Sequence, residues 1–322
     1  MVQTKKILKS IPLALKTVNI SKLGKKHSGK VRDFYILSDK RAIVTTDRLS
    51  AFDRVLGCFP FKGQALNLLS QFWFEKTSDI IQNHMISVPD LNVMIVKNCQ
   101  LIPIEMVVRG YITGVTDTSI WGSYEKGERE IYGIKFPDGL KKNQKLLQPV
   151  ITPTTKAETG HDERLTENEI LKRKIISPKI WEQMKQAALK LFERGQKICN
   201  KAGIILVDTK YEFGLLDKEL ILIDEIHTPD SSRYWVKDSY LKRFKKGQEP
   251  KNFDKEFLRI WYAKKGYKGD GIPPKMPPEF MAKVSKRYIA IFEKITGRKF
   301  QEYDYPIDKR IKNNLKYIYA KQ

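Results

Sequence analysis

Charged side chains close two of the most apolar runs in the chain. The stretch 203–225 reads GIILVDTKYEFGLLDKELILIDE, so Asp208, Lys210 and Glu212 follow one apolar run and Asp224 ends the next. Residues two apart in a strand project from the same face, so the first three of these side chains should share one face. The pattern predicts a hairpin of two core strands with one polar face, which is typical of a functional site.

This face favours binding of a hard divalent cation. Depending on the register of the hairpin, Asp224 lies opposite Glu212 or one position away. Two carboxylates that converge beside a lysine repel each other unless a cation lies between them, and Mg²⁺ is commonly held by one or two carboxylates plus substrate phosphates. The alternative is an exposed strand face with an ordinary ion pair.

The segment after the hairpin, HTPDSSRYW, offers groups that bind anions. Its turn presents the Ser232 hydroxyl and the guanidinium of Arg233, and arginine is well suited to a bidentate grip on phosphate or carboxylate. A capped turn leading into the next element explains the segment equally well. His227 has no second His or Cys near it in sequence, so it gives only weak support for a metal site.

Near the N-terminus, GKKHSGKV almost matches a phosphate-binding P-loop. Val31 stands where a Ser or Thr would bind Mg²⁺, and the loop precedes a strand where a P-loop precedes a helix, which argues against a P-loop NTPase. A glycine-containing loop with Gly29, Lys30 and Arg32 can still cover nucleotide phosphates, as the glycine-rich loop of kinases does. A plain basic turn is the alternative.

The pattern of elements predicts an α+β protein. KVRDFYIL and RAIVTTD read as a β-hairpin, and LIPIEMVVRGYITG reads as a strand that carries Glu105 and Arg109 at the junction of two lobes. Ser177 and Gly203 are the expected N-cap and stop of an amphipathic helix, and two more helices follow near the C-terminus. The passage 132–166 reads as a long polar loop. We expect a small β-rich lobe over residues 1–108 and a larger mixed lobe over residues 109–322.

Composition restricts the partners and the compartment. The 322 residues carry a net charge of +23, which suggests a polyanion, but the motif-rich middle third is nearly balanced and the excess lies in the flanks. Nucleic-acid binding therefore stays a minor alternative. Three isolated cysteines and the absence of a signal-like or membrane-spanning apolar run predict a cytoplasmic protein with no membrane partner.

Taken in order, the motifs GKVRD, TDRLSAFD, LIPIEMVVRGYITG, TPTTKAE, VDTKYEFG and IDEIHTPDSSRYW resemble those of the SAICAR synthetase family, in its single-chain, yeast-like form. The resemblance runs from about residue 15 to residue 300. It implies a small kinase-like β lobe over a larger α+β lobe, with ATP in the cleft between them. It also implies ATP, Mg²⁺, L-aspartate and carboxyaminoimidazole ribonucleotide (CAIR) as ligands, with a monomer favoured.

The resemblance also implies roles for individual residues. We expect the ATP contacts at Gly29, Lys30, Arg32 and Glu105, the substrate contacts at Arg109, Lys156, Ser232 and Arg233, the metal ligands at Glu212 and Asp224, and the catalytic groups at Asp208, Lys210 and Glu212. The family often has a serine where this chain has Val115, so a neighbouring hydroxyl such as that of Thr116 or Ser119 would have to replace it.

The implied reaction joins aspartate to CAIR in purine biosynthesis. A carboxylate is a poor acceptor for an amine, so ATP first converts it to an acyl phosphate, and the aspartate amine then displaces phosphate. This chemistry mainly requires positioning and charge neutralisation. A small-molecule kinase with the same cleft is the main alternative.

Overall fold

The structure is a computed structural model that describes residues 2–52, 54–114, 118–156 and 163–319. Val115 and Thr116 lie outside the described residues, as do the last residue of TDRLSAFD and the last two of TPTTKAE. The expectations that concern these positions therefore stay predictions.

The strands of the described chain are β1 (Lys26–Ser28), β2 (Arg32–Leu37), β3 (Lys40–Thr45), β4 (Arg48–Ala51), β5 (Arg54–Cys58), β6 (Met85–Asp90), β7 (Val93–Lys97), β8 (Gln100–Ile112), β9 (Glu130–Ile131), β10 (Ile134–Lys135), β11 (Gln144–Ile151), β12 (Thr154–Thr155), β13 (Ile204–Leu216), β14 (Glu219–Ile223) and β15 (Ser232–Val236).

The α-helices of the described chain are α1 (Thr4–Ser10), α2 (Lys62–Lys76), α3 (Ile120–Glu125), α4 (Glu167–Lys172), α5 (Pro178–Lys201), α6 (Lys237–Lys245), α7 (Glu256–Lys264), α8 (Pro278–Thr296), α9 (Asp308–Asn314) and α10 (Lys316–Tyr319). None of these helices is both long enough and apolar enough to cross a membrane. The mixture of sheets and helices confirms the α+β class.

The first sheet contains the predicted N-terminal hairpin. Its antiparallel strands run in the order β1-β2-β3-β7-β6, and the hairpin is formed by β2 and β3. Alternate residues of β2 are buried: Asp33, Tyr35 and Leu37 point into the protein, while Phe34 points towards the other face. This period of two is the pattern of a strand with one buried face.

The second sheet positions most of the polar residues singled out above. Its central strands run in the order β11-β8-β13-β14, and β12 and β15 pair with β8 and β13 at their ends. One face is apolar, with Met106, Val108, Tyr211 and Phe213 all buried in the main core. The same core contains the apolar stripe of α5, so this helix covers the apolar face and leaves the opposite face to the polar side chains.

The long helix begins and ends where its sequence predicts. The Ser177 hydroxyl accepts a hydrogen bond from the Ile180 amide at 3.3 Å, and Pro178 is the first helical residue. Proline suits this position because the first amides of a helix have no intrahelical acceptor. Gly203 follows with a φ of 72°, a left-handed conformation that ends a helix with little strain in glycine.

The prediction of a long loop over residues 132–166 is wrong. This passage contains β11 and β12, and both strands pair with β8. The register of β11 shifts between Lys145 and Val150, so a bulge interrupts the alternation that would have marked a strand. β12 has only two residues, which is too short for any periodicity to show.

The proposed division at residue 108 stays a prediction. The first sheet lies wholly within residues 26–97, which agrees with a small N-terminal unit. The boundary itself falls inside β8, whose thirteen residues form one continuous strand of the second sheet.

A buried carboxylate joins the N-terminal segment, the start of α2 and the C-terminal segment. Asp47 is fully buried, and its Oδ1 accepts a hydrogen bond from the Gly63 amide at 3.0 Å. Its Oδ2 accepts one from the Leu15 amide at 2.9 Å and one from the Tyr305 hydroxyl at 2.8 Å. Burial raises the pKa of Asp47 to about 6 despite these donors.

This pKa gives a stability test. The folded protein keeps the Asp47 proton up to about pH 6, whereas the unfolded chain releases it near 3.8, so folding binds a proton between these values. The free energy of unfolding of the wild type, relative to Asp47→Asn, should therefore fall by up to roughly 3 kcal/mol between pH 4 and pH 7. Urea unfolding at several pH values measures this difference.

Asp79 provides the control, because the hydrogen bond from Arg194 lowers the pKa of this exposed carboxyl. Relative to Asp79→Asn, the wild type should gain stability mainly as the pH rises towards the unfolded value of 3.8, so this difference should stay nearly constant between pH 4 and pH 7. If the difference in the free energy of unfolding between the wild type and Asp47→Asn did not change with pH, this would contradict the raised pKa of Asp47.

Candidate active site

An open cleft of about 850 Å³ lies between the two sheets. Apart from Arg109, the predicted site residues all line this cleft. They are Gly29, Lys30, Arg32, Glu105, Lys156, Asp208, Lys210, Glu212, Asp224, Ser232 and Arg233. Positions that are widely separated in sequence are therefore brought together by the pairing of the strands.

The register between β8 and β13 places one pair of like charges and one pair of opposite charges across the ladder. Glu212 pairs across the ladder with Glu105, and Asp208 pairs with Arg109. On the other side of β13, Glu212 pairs with Ile223, so Asp224 lies one position beyond it. Of the two registers left open by the sequence, the structure has the second. Two glutamates directly opposite each other destabilise a sheet unless a cation compensates them.

Lys210 supplies that cation. Its Nζ lies 2.5 Å from Glu105 Oε1 and 2.9 Å from Glu212 Oε1, and Lys156 pairs with the remaining oxygen of Glu212. Burial alone would lower the pKa of Lys210, but the charges of Glu212 and Glu105 outweigh it and raise that pKa. Lys210 is therefore firmly protonated, and its charge compensates the two facing carboxylates.

An ion pair between Arg32 and Asp224 connects the two walls of the cleft. Arg32 Nη2 of β2 lies 2.7 Å from Asp224 Oδ1, which follows β14 of the other sheet. Burial would raise the pKa of Asp224, but the charges of Arg32 and Lys210 lower it, so the carboxylate is ionised at neutral pH. Asp224 has a φ of 69°, an uncommon conformation that aspartate tolerates better than most residues.

Two arginines converge on Asp208 at one end of the polar face. Its Oδ2 lies 2.5 Å from Arg233 Nη1 and 3.6 Å from Arg109 Nη1. Arg109 is further held by the Thr152 hydroxyl, at 2.8 Å from its Nε, and by the Thr118 carbonyl, at 3.1 Å from Nη2. Arg109 therefore sits behind the cleft wall with its fork oriented by three partners.

The turn before β15 places Ser232 beside this group. The Ser232 hydroxyl lies 2.7 Å from the Thr209 hydroxyl, and the two residues are partners in the ladder between β13 and β15. Of the hydroxyls suggested in place of the family serine, that of Ser119 accepts a hydrogen bond from the Gly122 amide at the start of α3. A Cβ added to Gly114 would lie 2.6 Å from Ser119 Cβ and 3.7 Å from Arg233 Nη2, so Ser119 lies near the arginine pair.

The glycine-containing loop is anchored by Arg48 of β4. This arginine donates hydrogen bonds to the carbonyls of Gly29 at 3.1 Å and Lys30 at 3.2 Å. It also pairs with the fully buried Asp33 at 2.8 Å. The backbone of the loop is thereby fixed at the mouth of the cleft, with the Lys30 and Arg32 side chains on the cleft lining.

Several cleft residues escaped the sequence analysis. Phe34 and Arg41 reach the cleft from the first sheet, Glu225 follows Asp224, and Lys255 and Arg259 come from the start of α7. The sequence contains a weak indication for Lys255 and Arg259, because two basic residues four positions apart at the start of a helix lie on one face. For Phe34 and Arg41, only the three-dimensional packing of the sheets reveals their position.

The carboxylates fit a magnesium ion that is shared with a ligand. No group of three or more His, Cys, Asp and Glu that could hold a metal ion occurs among the described residues. Mg²⁺ commonly takes only one or two carboxylates and completes its shell with water and phosphate oxygens, so Glu212 and Asp224 suffice as a donor set. Each ionised carboxylate can accept several contacts, and a cation could join the present partners or displace them.

His227 supports the site from behind and does not line it. It is fully buried, and its Nε2 lies 2.6 Å from the Tyr211 hydroxyl. Burial lowers the pKa of His227 to about 3, so the ring is neutral. Its φ of 48° is rare for a non-glycine residue, and it occurs in the connection between Asp224 and Ser232. His227 thus fixes the course of a segment that carries site residues at both ends.

An α+β chain with an open cleft rich in both cations and carboxylates is typical of enzymes that handle phosphorylated substrates. The SAICAR synthetase family profile matches residues 25–274. The chain belongs to the SAICAR synthetase family.

Individual relatives agree over most of the chain. The phosphoribosylaminoimidazole-succinocarboxamide synthase of Legionella pneumophila (strain Paris) is 52% identical over 298 residues, which cover 91% of this chain and 95% of that protein. Among solved structures, the SAICAR synthase of Saccharomyces cerevisiae in complex with SAICAR matches with a TM-score of 0.78 and 31% identity, over 90% of this chain and all of that one. A SAICAR synthetase in complex with ADP matches with a TM-score of 0.66 and 26% identity, over 86% of this chain and all of that one.

Gly195 of α5 offers a test of the support behind the site. A Cβ at this position would lie 2.5 Å from His227 Cε1 and 2.7 Å from Leu206 Cδ2. Replacing a helical glycine by alanine normally stabilises a helix by about 1 kcal/mol. Gly195→Ala should instead destabilise the protein by about 1–3 kcal/mol, because the added methyl group overpacks the core.

Urea unfolding of Gly195→Ala beside Lys190→Ala, an exposed position of the same helix, measures this effect. A Gly195→Ala protein that is as stable as the wild type would show that the contact with His227 does not constrain the backbone.

Proposed function

We propose that this protein is an ATP-dependent ligase of purine biosynthesis that joins L-aspartate to CAIR and releases SAICAR, ADP and phosphate. The observation that carries the proposal is that the anchored loop at Gly29 and Lys30 lines the same cleft as Glu212 and Asp224. Family membership and the relatives described above support the same reaction. They lend no support to a small-molecule kinase or to a nucleic-acid-binding protein.

The reaction has two steps. An oxygen of the CAIR carboxylate attacks the γ-phosphorus of ATP, which forms an acyl phosphate and releases ADP. The amine nitrogen of aspartate then attacks the acyl carbon, the C–N bond forms, phosphate leaves with the electrons of the broken C–O bond, and the nitrogen loses a proton. Phosphoryl transfer of this kind depends mainly on positioning and on neutralisation of charge.

The loop residues Gly29, Lys30 and Arg32 would bind the ATP phosphates. The Lys30 ammonium and the Arg32 guanidinium supply positive charge, while Arg48 holds the loop backbone in place. Glu105 would meet the nucleotide at the strand between the lobes, where Lys210 already binds its carboxylate. Negative charge that develops on the phosphates would thus meet cations that are positioned in advance.

Glu212 and Asp224 would hold Mg²⁺ together with the phosphates. Bound Mg²⁺ would neutralise phosphate charge during transfer. Lys156 and Arg32 pair with these carboxylates, and both cations could also contact phosphate oxygens beside the ion. Lys156 is accordingly also a candidate for substrate binding.

The arginine pair around Asp208 would bind CAIR. Arg233 lines the cleft with Ser232, Arg109 stands behind it, and Asp208 holds both guanidinium groups in orientation. Asp208 and Lys210 lie on the same strand face as Glu212, so they would contact the reacting carboxylate between the ribotide and the nucleotide. We assign Asp208, Lys210 and Glu212 as catalytic groups on this basis.

No covalent enzyme intermediate is needed, and the cleft agrees with that. Within the described part of the chain, its lining contains no His or Cys, and His227 is engaged with Tyr211 in the core. We further propose that the protein acts in the cytoplasm as a monomer, with small-molecule substrates and no nucleic-acid or membrane partner.

An assay that omits one substrate at a time tests the reaction. Product should form only when ATP, CAIR and aspartate are all present, with one ADP for each SAICAR, because the acyl phosphate is consumed only by the amine. Chromatographic quantification of ADP and SAICAR gives both yields. Multiple ATP turnovers with CAIR alone, unchanged by aspartate, would favour the kinase alternative and contradict the ligase.

Substitution of Asp224 tests the proposed metal site. Asp224→Asn should lower kcat about 100-fold or more, because an amide binds Mg²⁺ more weakly than a carboxylate does. Folding should be retained, since the amide oxygen can still accept the hydrogen bond from Arg32, and circular dichroism checks this.

The matched control is Asp217→Asn in the exposed turn between β13 and β14, where the residue has a φ of 51° that asparagine also tolerates. This variant should keep the activity of the wild type. Wild-type turnover by Asp224→Asn would refute the metal assignment.

A further inference from the structure

Lys62, the first residue of α2, carries a fully buried charge that the reaction described above does not use. Its side chain is 0% exposed, and its Nζ lies 2.7 Å from Asp230 Oδ2. A lysine is rarely buried to this extent, because an ammonium that leaves water needs a close partner of opposite charge. Asp230 is that partner, and it lines the cleft.

A third residue completes the group. The Tyr288 hydroxyl of α8 donates a hydrogen bond to Asp230 Oδ1 at 2.6 Å, and Lys62 Nζ lies 5.3 Å from the centre of the Tyr288 ring. Both carboxylate oxygens of Asp230 are therefore held, each from a different helix. Burial would raise the pKa of Asp230, but Lys62 outweighs it and lowers that pKa, so the pair is ionic.

Asp230 belongs to the turn that positions two proposed substrate contacts. The Thr228 hydroxyl accepts hydrogen bonds from the amides of Asp230 and Ser231, and the Thr228 carbonyl accepts one from the Ser232 amide at 2.8 Å. The strand that starts at Ser232 then places Arg233 opposite Asp208. If Asp230 moved, the three residues that follow it would therefore move as well, and the Arg233 guanidinium would be displaced.

The charge of Asp230 also matters for anionic substrates. A carboxylate on the cleft lining repels a phosphate or a carboxylate nearby, and the repulsion is strong where water is largely excluded. The Lys62 ammonium contacts this carboxylate and, together with the nearby Lys255, offsets its charge. The buried pair thus keeps the turn anchored without adding net negative charge to the cleft.

We propose that Lys62, Asp230 and Tyr288 form a positioning triad for the CAIR-binding part of the cleft. The triad fixes the turn that carries Ser232 and Arg233. It also offsets the negative charge of Asp230 on the cleft wall, which would otherwise repel an anionic substrate. This inference rests on the proposed function for the identity of the substrate. It assigns no contact with reacting atoms to any of the three residues.

Steady-state kinetics of Lys62→Met test the triad. Loss of the ammonium leaves Asp230 charged and poorly held, so the KM for CAIR should rise about tenfold or more. The KM for ATP should change less than about threefold, because the phosphate loop is anchored separately by Arg48. Lys190→Met, at an exposed position of α5, is the matched control and should leave all constants unchanged.

A second substitution separates charge from packing. In Lys62→Met/Asp230→Asn the uncompensated charge is gone, and the asparagine oxygen can still accept the hydrogen bond from Tyr288. Most of the increase in the KM for CAIR should then be reversed. If the Lys62 stem mattered only through packing, the second substitution would restore nothing.

Tyr288→Phe covers the case in which Lys62→Met does not fold. It keeps the ion pair and removes one hydrogen bond, so the KM for CAIR should rise about threefold with little change for ATP. A lower melting temperature with unchanged KM values, in either folded variant, would overturn the triad. A wild type that forms no SAICAR would instead refute the proposed function, which keeps the two failures distinct.

Discussion

The cleft depends on the placement of two facing glutamates around one lysine. Antiparallel pairing of β8 with β13 sets Glu105 directly opposite Glu212, and without compensation this repulsion would oppose the strand pairing itself. Lys210 lies within 2.9 Å of both carboxylates, so the sheet can form with its acidic residues on one face. The other face is free to be wholly apolar and to pack on α5. Charges that the fold itself holds in a fixed arrangement lower the cost of reorganisation during a reaction.

Three acidic residues of the cleft are each held by at least one cation from another element. Asp224 is bound by Arg32 of the first sheet, Glu212 by Lys156 and Lys210, and Asp208 by two arginines. These pairs join the loop, both sheets and the turn before β15 around one space. When a ligand binds in such a cleft, its charged groups replace partners in these existing ion pairs. A magnesium ion bound to phosphate brings both a positive and a negative charge into the cleft. The net charge of +23 therefore says little about the site, because the cleft itself is close to neutral.

The sequence was informative wherever local periodicity decides structure. The alternation of Asp208, Lys210 and Glu212 predicted their common face, and the caps of α5 lay where Ser177 and Gly203 placed them. Motif order identified the family. Local patterns failed where long-range pairing determines the structure. A bulge interrupts β11, and β12 has only two residues, so neither shows a strand periodicity. The register of the hairpin depends on residues that are close in space but distant in sequence. Phe34 and Arg41 entered the cleft only through packing between distant elements, which no window of sequence reports.

The carboxylate of Asp47 has a consequence for how the chain is made. It accepts hydrogen bonds from residues 15, 63 and 305, so one of its partners is synthesised 258 residues after Asp47 itself. Contacts so far apart in sequence form slowly, because a long segment must first be ordered around them. The N-terminal third can build its sheet early and supply the Leu15 and Gly63 amides to Asp47, but the carboxylate lacks its third donor until Tyr305 has been made. A chain truncated before Tyr305 would therefore leave this buried carboxylate one donor short, and its N-terminal unit would be incompletely closed.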